Sequence, residues 1–158
     1  ILCSKEINLN HNLTYGEIQS NLSVMGANLL MEALQQIQSE KADFKNQMNS
    51  EATYAKKINK NEGKINWNLN SEDVVAHIHG LSPSPGAWFE YRNFRFKVLR
   101  ARQCSKTGNP GLVIDDNLVI GCKSNSIEIL EIQKQGKNKQ LTKEFLLGNK
   151  ITKGTNLK

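Results

Sequence analysis

The sequence predicts an α/β piece, one strand followed by one long helix, and after it a mainly-β unit that forms a small barrel. Apolar residues recur at three- and four-residue steps between residues 14 and 38, as they do along one face of a helix. From Ala87 onward, short apolar runs alternate with Asn, Gly and Asp, a pattern typical of short strands joined by turns. A polar stretch at residues 39–65 lies between the two parts and reads mostly as a linker.

The first part begins with a strand predicted over residues 1–9, which carry Ile1, Leu2, Ile7 and Leu9. Thr14 and Glu17 have the spacing of a capping box, which marks the start of a helix. The apolar stripe of that helix consists of Ile18, Leu22, Met25, Leu29, Ala33 and Ile37, widened by Leu30 and Leu34. One strand and one helix cannot cover each other's apolar faces, so we expect both to belong to the edge of a larger sheet domain.

The second part begins at residues 65–67 and continues into a short helix capped by Asn70 or Ser71. Its inner face is predicted to carry Val74, Val75, Ile78 and Leu81. Pro83, Pro85 and Gly86 end the helix, because each proline disfavours the helical conformation in the residue before it. Trp67 and Trp88 begin elements beside apolar neighbours and are predicted to anchor the core.

The barrel strands are predicted one by one from alternation and turn residues. Residues 87–91 form a strand, and Arg92-Asn93 suits a hairpin turn into the next strand. The alternation slips at Val98-Leu99, which indicates a bulge, and Arg100 and Arg102 then point outward. Further short strands and a last helical turn are predicted at residues 112–114, 118–120, 127–132 and 142–147.

The formal net charge of +6 is distributed unevenly along the chain. Residues 1–50 hold three Lys or Arg and five Asp or Glu, whereas residues 91–158 hold fourteen and five. The positive excess therefore lies in the last third, where it can attract a polyanion. Basic rows on strands pair with phosphates, but they also protect sheet edges, and composition alone leaves both interpretations open. The candidate phosphate contacts are Lys56, Lys57, Lys60, Lys64, Arg95, Lys97, Arg100, Arg102, Lys134, Lys137 and Lys139.

The sequence predicts neither a catalytic constellation nor a metal site. His77 and His79 lie two residues apart on a predicted helix and so do not share a face, and His11 lies in a turn. All three histidines are therefore expected at the surface. The three cysteines are odd in number and lack zinc spacing, which favours free thiols.

A cytoplasmic location is expected. No apolar run approaches the roughly 18 residues of a membrane span, and the first residues do not read as a signal peptide. The chain does not begin with Met, so we expect it to start inside a longer sequence.

Three stretches, taken in order, resemble the methionyl-tRNA formyltransferase family. Residues 52–67 (ATYAKKINKNEGKINW) look like the family's linker, and residues 78–88 (IHGLSPSPGAW) are close to its Pro-x-Pro-Gly-Ala-Trp signature. Residues 110–137 carry a third set of motifs, and the end at residues 145–148 also fits. Ser82-Pro83-Ser84 departs from the family, which commonly has Asn-Pro-Trp at this place.

The resemblance implies an architecture and an activity for the complete protein. In this family a Rossmann-like domain binds 10-formyltetrahydrofolate and transfers the formyl group with an Asn, a His and an Asp. A C-terminal barrel related to the oligonucleotide-binding fold then holds the initiator methionyl-tRNA. On this pattern residues 1–47 are the last strand and helix of the catalytic domain, residues 48–65 the linker, and residues 66–158 a mainly-β, OB-like barrel.

The resemblance also implies which functions this chain lacks. Ile1 falls just after the family's catalytic loop, so the catalytic Asn, His and Asp have no counterpart here. We therefore expect a chain that binds tRNA, holds no cofactor, is inactive alone and is a monomer that needs its N-terminal domain. Three alternatives stay open: a formyltransferase acting on a sugar nucleotide, a stand-alone RNA-binding module, and a purely structural remnant.

Overall fold

The long N-terminal helix, α1, spans Tyr15–Gln38 and begins where the capping box predicts. The computed structural model describes residues 1–10 and 12–157, so the prediction for His11 lies outside the described residues. The Thr14 hydroxyl accepts a hydrogen bond from the Glu17 amide at 3.4 Å, and the Glu17 carboxylate accepts one from the Thr14 amide at 2.8 Å. Within α1 no residue is buried, so its apolar stripe is left open or half-covered.

The strand predicted over residues 1–9 is wrong. These residues form no regular secondary structure, although the Lys45 amide donates to the Ile1 carbonyl at 2.9 Å. A strand needs a neighbouring strand that pairs with its backbone donors and acceptors along its length. Residues 41–47, which lie nearest to Ile1 through Lys45, do not form such a strand. The apolar pattern of residues 1–9 is therefore not sufficient to produce a strand in this chain.

Residues 39–65 cross from α1 to the second part with little regular structure. They contain two short 3-10 turns, Asn49–Glu51 and Lys60–Gly63, and most of their side chains are exposed. The segment joins the sheet at its end, where the Ile65 amide donates to the Trp88 carbonyl at 2.8 Å. This contact fixes the last residues of the linker beside the sheet.

Over the described residues 65–157, the second part consists of two α-helices and five strands, together with isolated bridges. Helix α2 spans Ser71–Leu81 and buries the four apolar residues expected on its inner face. The strands are β1 (Ala87–Tyr91), β2 (Phe94–Cys104), β3 (Val119–Gly121), β4 (Ser126–Lys134) and β5 (Lys139–Leu141), and helix α3 (Thr142–Gly148) follows. All strand pairs are antiparallel, in the order β1-β2-β4-β3, with β5 also pairing with β4.

The closed barrel is not confirmed, because the sheet stays open over the described residues. Strands β1 and β3 lie at its two edges. Each edge meets a single-residue bridge: Lys64 pairs with Trp88 in β1, and Val113 pairs with Ile120 in β3. Short bridges of this kind satisfy part of an exposed edge without closing the sheet.

Other strand predictions are confirmed or corrected in detail. The hairpin turn is confirmed, since Arg92 and Asn93 both have positive φ, as the favoured two-residue hairpin turn requires. The bulge is confirmed too, because the β2–β4 register shifts between Val98 and Arg100. The strand at residues 112–114 is wrong, since only isolated bridges form there, and β5 was not predicted because its three residues are all exposed.

The core lies between the sheet, α2 and α3 and draws on residues from Ile65 to Leu157. Phe89 and Phe96 stack with ring centroids 5.5 Å apart, and Phe145 meets Phe96 edge-on at 5.7 Å. Trp67 belongs to this core, as predicted, whereas Trp88 is buried outside it, where its indole packs against Arg95 instead. His79 is buried as well, which corrects the expectation of a surface histidine: its Nε2 accepts a 3.4 Å hydrogen bond from the Ala101 amide.

Candidate nucleic-acid interface

Three adjoining clefts run across the end of the sheet that carries the β1–β2 hairpin. Their volumes are about 330, 230 and 270 Å³. Arg95 and Lys97 line both the first and the second cleft, and Lys134 lines both the second and the third. Lys60 completes the first cleft and Lys137 the third. We call these five residues the basic row.

The basic row is free of carboxylates in its own clefts. Among the residues that the structure describes, no Asp or Glu lines any of the three. The other lining residues are neutral, and several carry amides: Gln133, Gln135, Asn138, Gln140 and Asn149. Five cations bordered by neutral amides form a surface suited to phosphate and sugar oxygens.

The β1–β2 hairpin explains why Arg95 and Lys97 lie side by side. In β2 the buried Phe96 and Val98 alternate with them, so the two basic side chains leave the opposite face of the strand. The turn register places Arg95 opposite Glu90 and Lys97 opposite Trp88. This register follows from the predicted Arg92-Asn93 turn. It also brings Arg95 close to Trp88, a contact that was not predicted although the turn residues indicate it.

Arg95 rests on the indole of Trp88. Its guanidinium carbon lies 3.8 Å from the ring centroid, and Glu90 approaches the guanidinium at 3.6 Å. The Trp88 Nε1 donates to the Lys60 carbonyl at 3.3 Å, which ties the linker to the same place. A cation over an indole face is the strongest of the common cation–π pairs.

Gly86 and Phe94 guide two of the lysine side chains. A Cβ placed on Gly86 would approach the Lys97 Cδ to 2.8 Å, and Gly86 has φ +87°, so a side chain there would displace Lys97 and strain the backbone. The Lys134 ammonium lies 4.3 Å from the Phe94 ring centroid. Both lysines are thus partly held along the surface rather than freely extended into solvent.

Arg100 occupies a different place, the junction between β2 and the start of α1. It forms an ion pair with Glu17, approaches Glu131 at 3.9 Å, and donates to the Asn12 carbonyl at 3.3 Å. A separate cleft of about 430 Å³ lies here, lined by Arg100 and Lys139 but also by Glu17 and Glu131. Its charges are balanced, unlike those of the basic row.

The backbone hydrogen bond from Thr14 and the Arg100 guanidinium hold the pKa of Glu17 below its ordinary value of 4.5, against an opposing effect of burial. The Glu17 carboxylate is therefore charged near neutral pH and serves two partners, the helix cap and Arg100.

The other predicted phosphate contacts are placed as follows. Arg102 pairs with Glu128 at 2.7 Å, and Lys139 lies 3.4 Å from Glu131. Lys56, Lys57 and Lys64 are exposed along the linker. These residues and Arg100 lie outside the three clefts, and as RNA contacts they stay predictions.

The described part of the chain also contains cysteines and other residue types that can bind a metal ion. The cysteines Cys3, Cys104 and Cys122 are free thiols, and burial raises the pKa of Cys122 to about 11. Over the described residues, no group of three His, Cys, Asp or Glu side chains is arranged to hold a metal ion. In the same part of the chain, no helix has both the length and the apolarity that crossing a bilayer needs.

The chain is similar in sequence to several methionyl-tRNA formyltransferases. The methionyl-tRNA formyltransferase of Pelagibacter ubique is 43% identical over 141 residues, covering 89% of this chain and 46% of that protein. The methionyl-tRNA formyltransferase of Bradyrhizobium diazoefficiens is 35% identical, covering 98% of this chain and 51% of that protein. The chain thus spans about half the length of the curated relatives it matches.

A solved structure shares the fold. HypX from Aquifex aeolicus superposes with a TM-score of 0.68 over 94% of this chain and 31% of its own, at 18% sequence identity. The family described as formyl transferase, C-terminal domain, matches residues 57–150. The resemblance seen in the sequence is therefore confirmed, and the chain belongs to the formyl transferase C-terminal domain family.

Proposed function

We propose that this chain is the RNA-holding half of a methionyl-tRNA formyltransferase. The complete protein would transfer a formyl group from 10-formyltetrahydrofolate to the amino group of methionine on the initiator tRNA, in the cytoplasm. Two relatives with that name align with 89% and 98% of this chain. The aligned region is about half of each relative's own length. The proposal assigns no catalytic residue, metal or cofactor to the chain itself.

The basic row carries the proposal. Five cations border three joined clefts without a carboxylate among the described lining residues, so a phosphate backbone that follows them meets an excess of positive charge, with Glu90 beside Arg95 as a nearby carboxylate. Such contacts raise affinity and depend on salt, but they do not read base sequence. Their contribution to catalysis is positioning, because a correctly held reactant loses much of the entropic part of the barrier.

The exposed stripe of α1 supports the second partner in the proposal, the N-terminal catalytic domain. Leu22, Leu30 and Leu34 are 43–59% exposed on a helix without a buried residue. An apolar face of this kind is stable in water when another surface covers it. The catalytic domain of the complete protein is the partner we propose for it.

A salt titration with matched variants tests the RNA proposal. Initiator tRNA binding is measured from 50 to 300 mM salt for the unchanged chain and for K97A/K134A. The control is K41A/K123A, which removes the same charge from the far end of α1 and from the β3–β4 turn. We expect K97A/K134A to weaken binding and to lower the salt slope by up to about two, while the control follows the unchanged chain.

Two outcomes of this titration would contradict the RNA proposal. If both double variants weaken binding equally, net charge rather than the basic row attracts the RNA. If the unchanged chain does not bind tRNA at the lowest salt, the chain is not the RNA-holding half.

A further inference from the structure

We propose that the first cleft of the basic row binds a single unstacked nucleobase, which lies on the Arg95 guanidinium. The inference rests on the proposed function and names a subsite within it. This stacking cleft is lined by Lys60, Ser84, Pro85, Gly86, Trp88, Arg95 and Lys97.

The Arg95 guanidinium is held as a platform with one side available. The guanidinium carbon lies 3.8 Å from the centroid of the Trp88 ring, and a Glu90 carboxylate oxygen lies 3.6 Å from one of the guanidinium nitrogens. The Arg95 side chain is nevertheless 43% exposed, so its contacts with Trp88 and Glu90 leave a substantial part of it open to solvent. A guanidinium plane fixed on an aromatic ring is a surface on which unpaired bases stack.

Trp88 makes this platform rigid. The indole is buried, and its Nε1 donates to the Lys60 carbonyl, so the ring cannot rotate without breaking that bond. The hairpin register also fixes Arg95 relative to Trp88, because the two residues lie on adjacent, directly paired strands. A rigid platform loses little conformational entropy when a ligand stacks on it.

The other lining residues favour a nucleotide over a bare phosphate or an apolar ligand. Pro85 supplies apolar surface beside the Arg95–Trp88 pair in this cleft of about 330 Å³, while Lys60 and Lys97 place two further cations there. A bare phosphate would use the cations and leave the apolar surface uncovered. A base with its own phosphate uses both, and the stacking is tolerant of base identity.

Two oligonucleotides with the same number of phosphates, one with bases and one without, distinguish base stacking from phosphate attraction. Fluorescein-labelled hexa-adenylate and an abasic ribose-phosphate strand of the same length are titrated with the chain, and affinity is read from anisotropy. The variants are R95K, which keeps the charge and removes the planar group, and R92K as its matched control. Arg92 is the neighbouring hairpin arginine, over Tyr91 at 5.1 Å, and it does not line the cleft.

We expect hexa-adenylate to bind more tightly than the abasic strand, and R95K to remove at least fivefold of that preference, the lower end of what base stacking contributes. R92K should leave the preference unchanged. Circular dichroism of R95K confirms that the variant is folded.

Equal binding of the two strands would overturn the stacking subsite while leaving the salt-dependent tRNA binding of the proposed function in place. A base preference that survives unchanged in folded R95K would also overturn it. If neither strand binds at low salt, the subsite is overturned as well, and the tRNA titration then decides separately about the proposed function.

Discussion

Arg100 in β2 and Glu17 in the first turn of α1 form an ion pair across 83 positions of sequence. The same arginine donates to the Asn12 carbonyl, and the Gly16 amide donates to the Ser82 carbonyl at 2.9 Å. These contacts attach the N-terminal end of α1 to the sheet. Arg100 is therefore placed to orient the helix, and with it any domain that covers the helix, relative to the basic row.

Removing the charge of Glu17 should loosen this attachment without unfolding the chain. In E17Q the amide oxygen can still cap the helix, but the ion pair with Arg100 is lost. The pair is partly exposed, so the free energy of unfolding should change by less than about 1 kcal/mol. Hydrogen exchange of residues 15–18 should become faster, whereas K45A should leave it unchanged. Unaltered exchange in E17Q would mean that the ion pair does not hold the helix.

The attachment should weaken in acid. Because the pKa of Glu17 is lowered in the folded chain, its charged form is favoured by folding, and that contribution is present above the ordinary value of 4.5. It is lost as the pH falls below 4.5 and through the lowered pKa. Exchange of residues 15–18 should therefore accelerate, relative to the acid trend of other helical amides, below about pH 4.5. E17Q should not show this additional acceleration.

Two glycines of α1 should respond oppositely to alanine. A Cβ on Gly26 meets nothing within 4 Å, so G26A should stabilise the helix by about 0.5–1 kcal/mol. A Cβ on Gly16 would lie 2.6 Å from the Pro83 Cδ, so G16A must displace the helix end from the proline loop. Hydrogen exchange should show slower amides around residue 26 in G26A and faster amides at residues 15–18 in G16A. Protection at residues 15–18 in G16A would mean that the loop moves instead.

The sequence was sufficient to predict elements whose signals are local. The capping box at Thr14 and Glu17, the inner face of α2 and the Arg92-Asn93 turn depend on residues within one or two turns of each other, and all three are confirmed. The strand at residues 1–9 failed because strand formation depends on a partner, which local alternation cannot supply. The predicted barrel is not confirmed, and local alternation could not decide it, since closure depends on which edges meet.

The sequence was sufficient to name the basic residues of the candidate site, but not to predict which of them lie together and which pair with carboxylates. The eleven basic residues were named from the sequence, yet the structure divides them by partners: Arg100 and Arg102 face carboxylates, whereas Lys97 and Lys134 line clefts without one. These carboxylates come from α1 and β4, far away in sequence, so no local pattern indicates them. The burial of His79 was missed because its hydrogen bond to Ala101 crosses from helix to sheet.

The exposed stripe of α1 should make this chain associate with itself. Leu30 and Leu34 are 59% and 50% exposed, and isolated apolar faces of this size promote aggregation. L30S/L34S should reduce the sedimenting mass at high concentration and leave the melting temperature of the sheet nearly unchanged, because neither residue belongs to the core. The control is V74S, which alters a fully buried residue of α2 and should lower the melting temperature instead. If L30S/L34S still self-associates, the surface responsible for self-association is not the apolar stripe of α1.

Cys122 should resist alkylation at a pH that modifies the other two thiols. Burial raises its pKa to about 11, so at pH 8.5 almost none of it is the reactive thiolate, and its side chain is 2% exposed. Cys3 and Cys104 are half-buried and should react with iodoacetamide first. Mass spectrometry of the folded chain should therefore find two labels at most, and a third after denaturation. Rapid labelling of Cys122 without denaturant would show that the β3–β4 end of the core opens easily, against its burial beside Ile120 and Ile127.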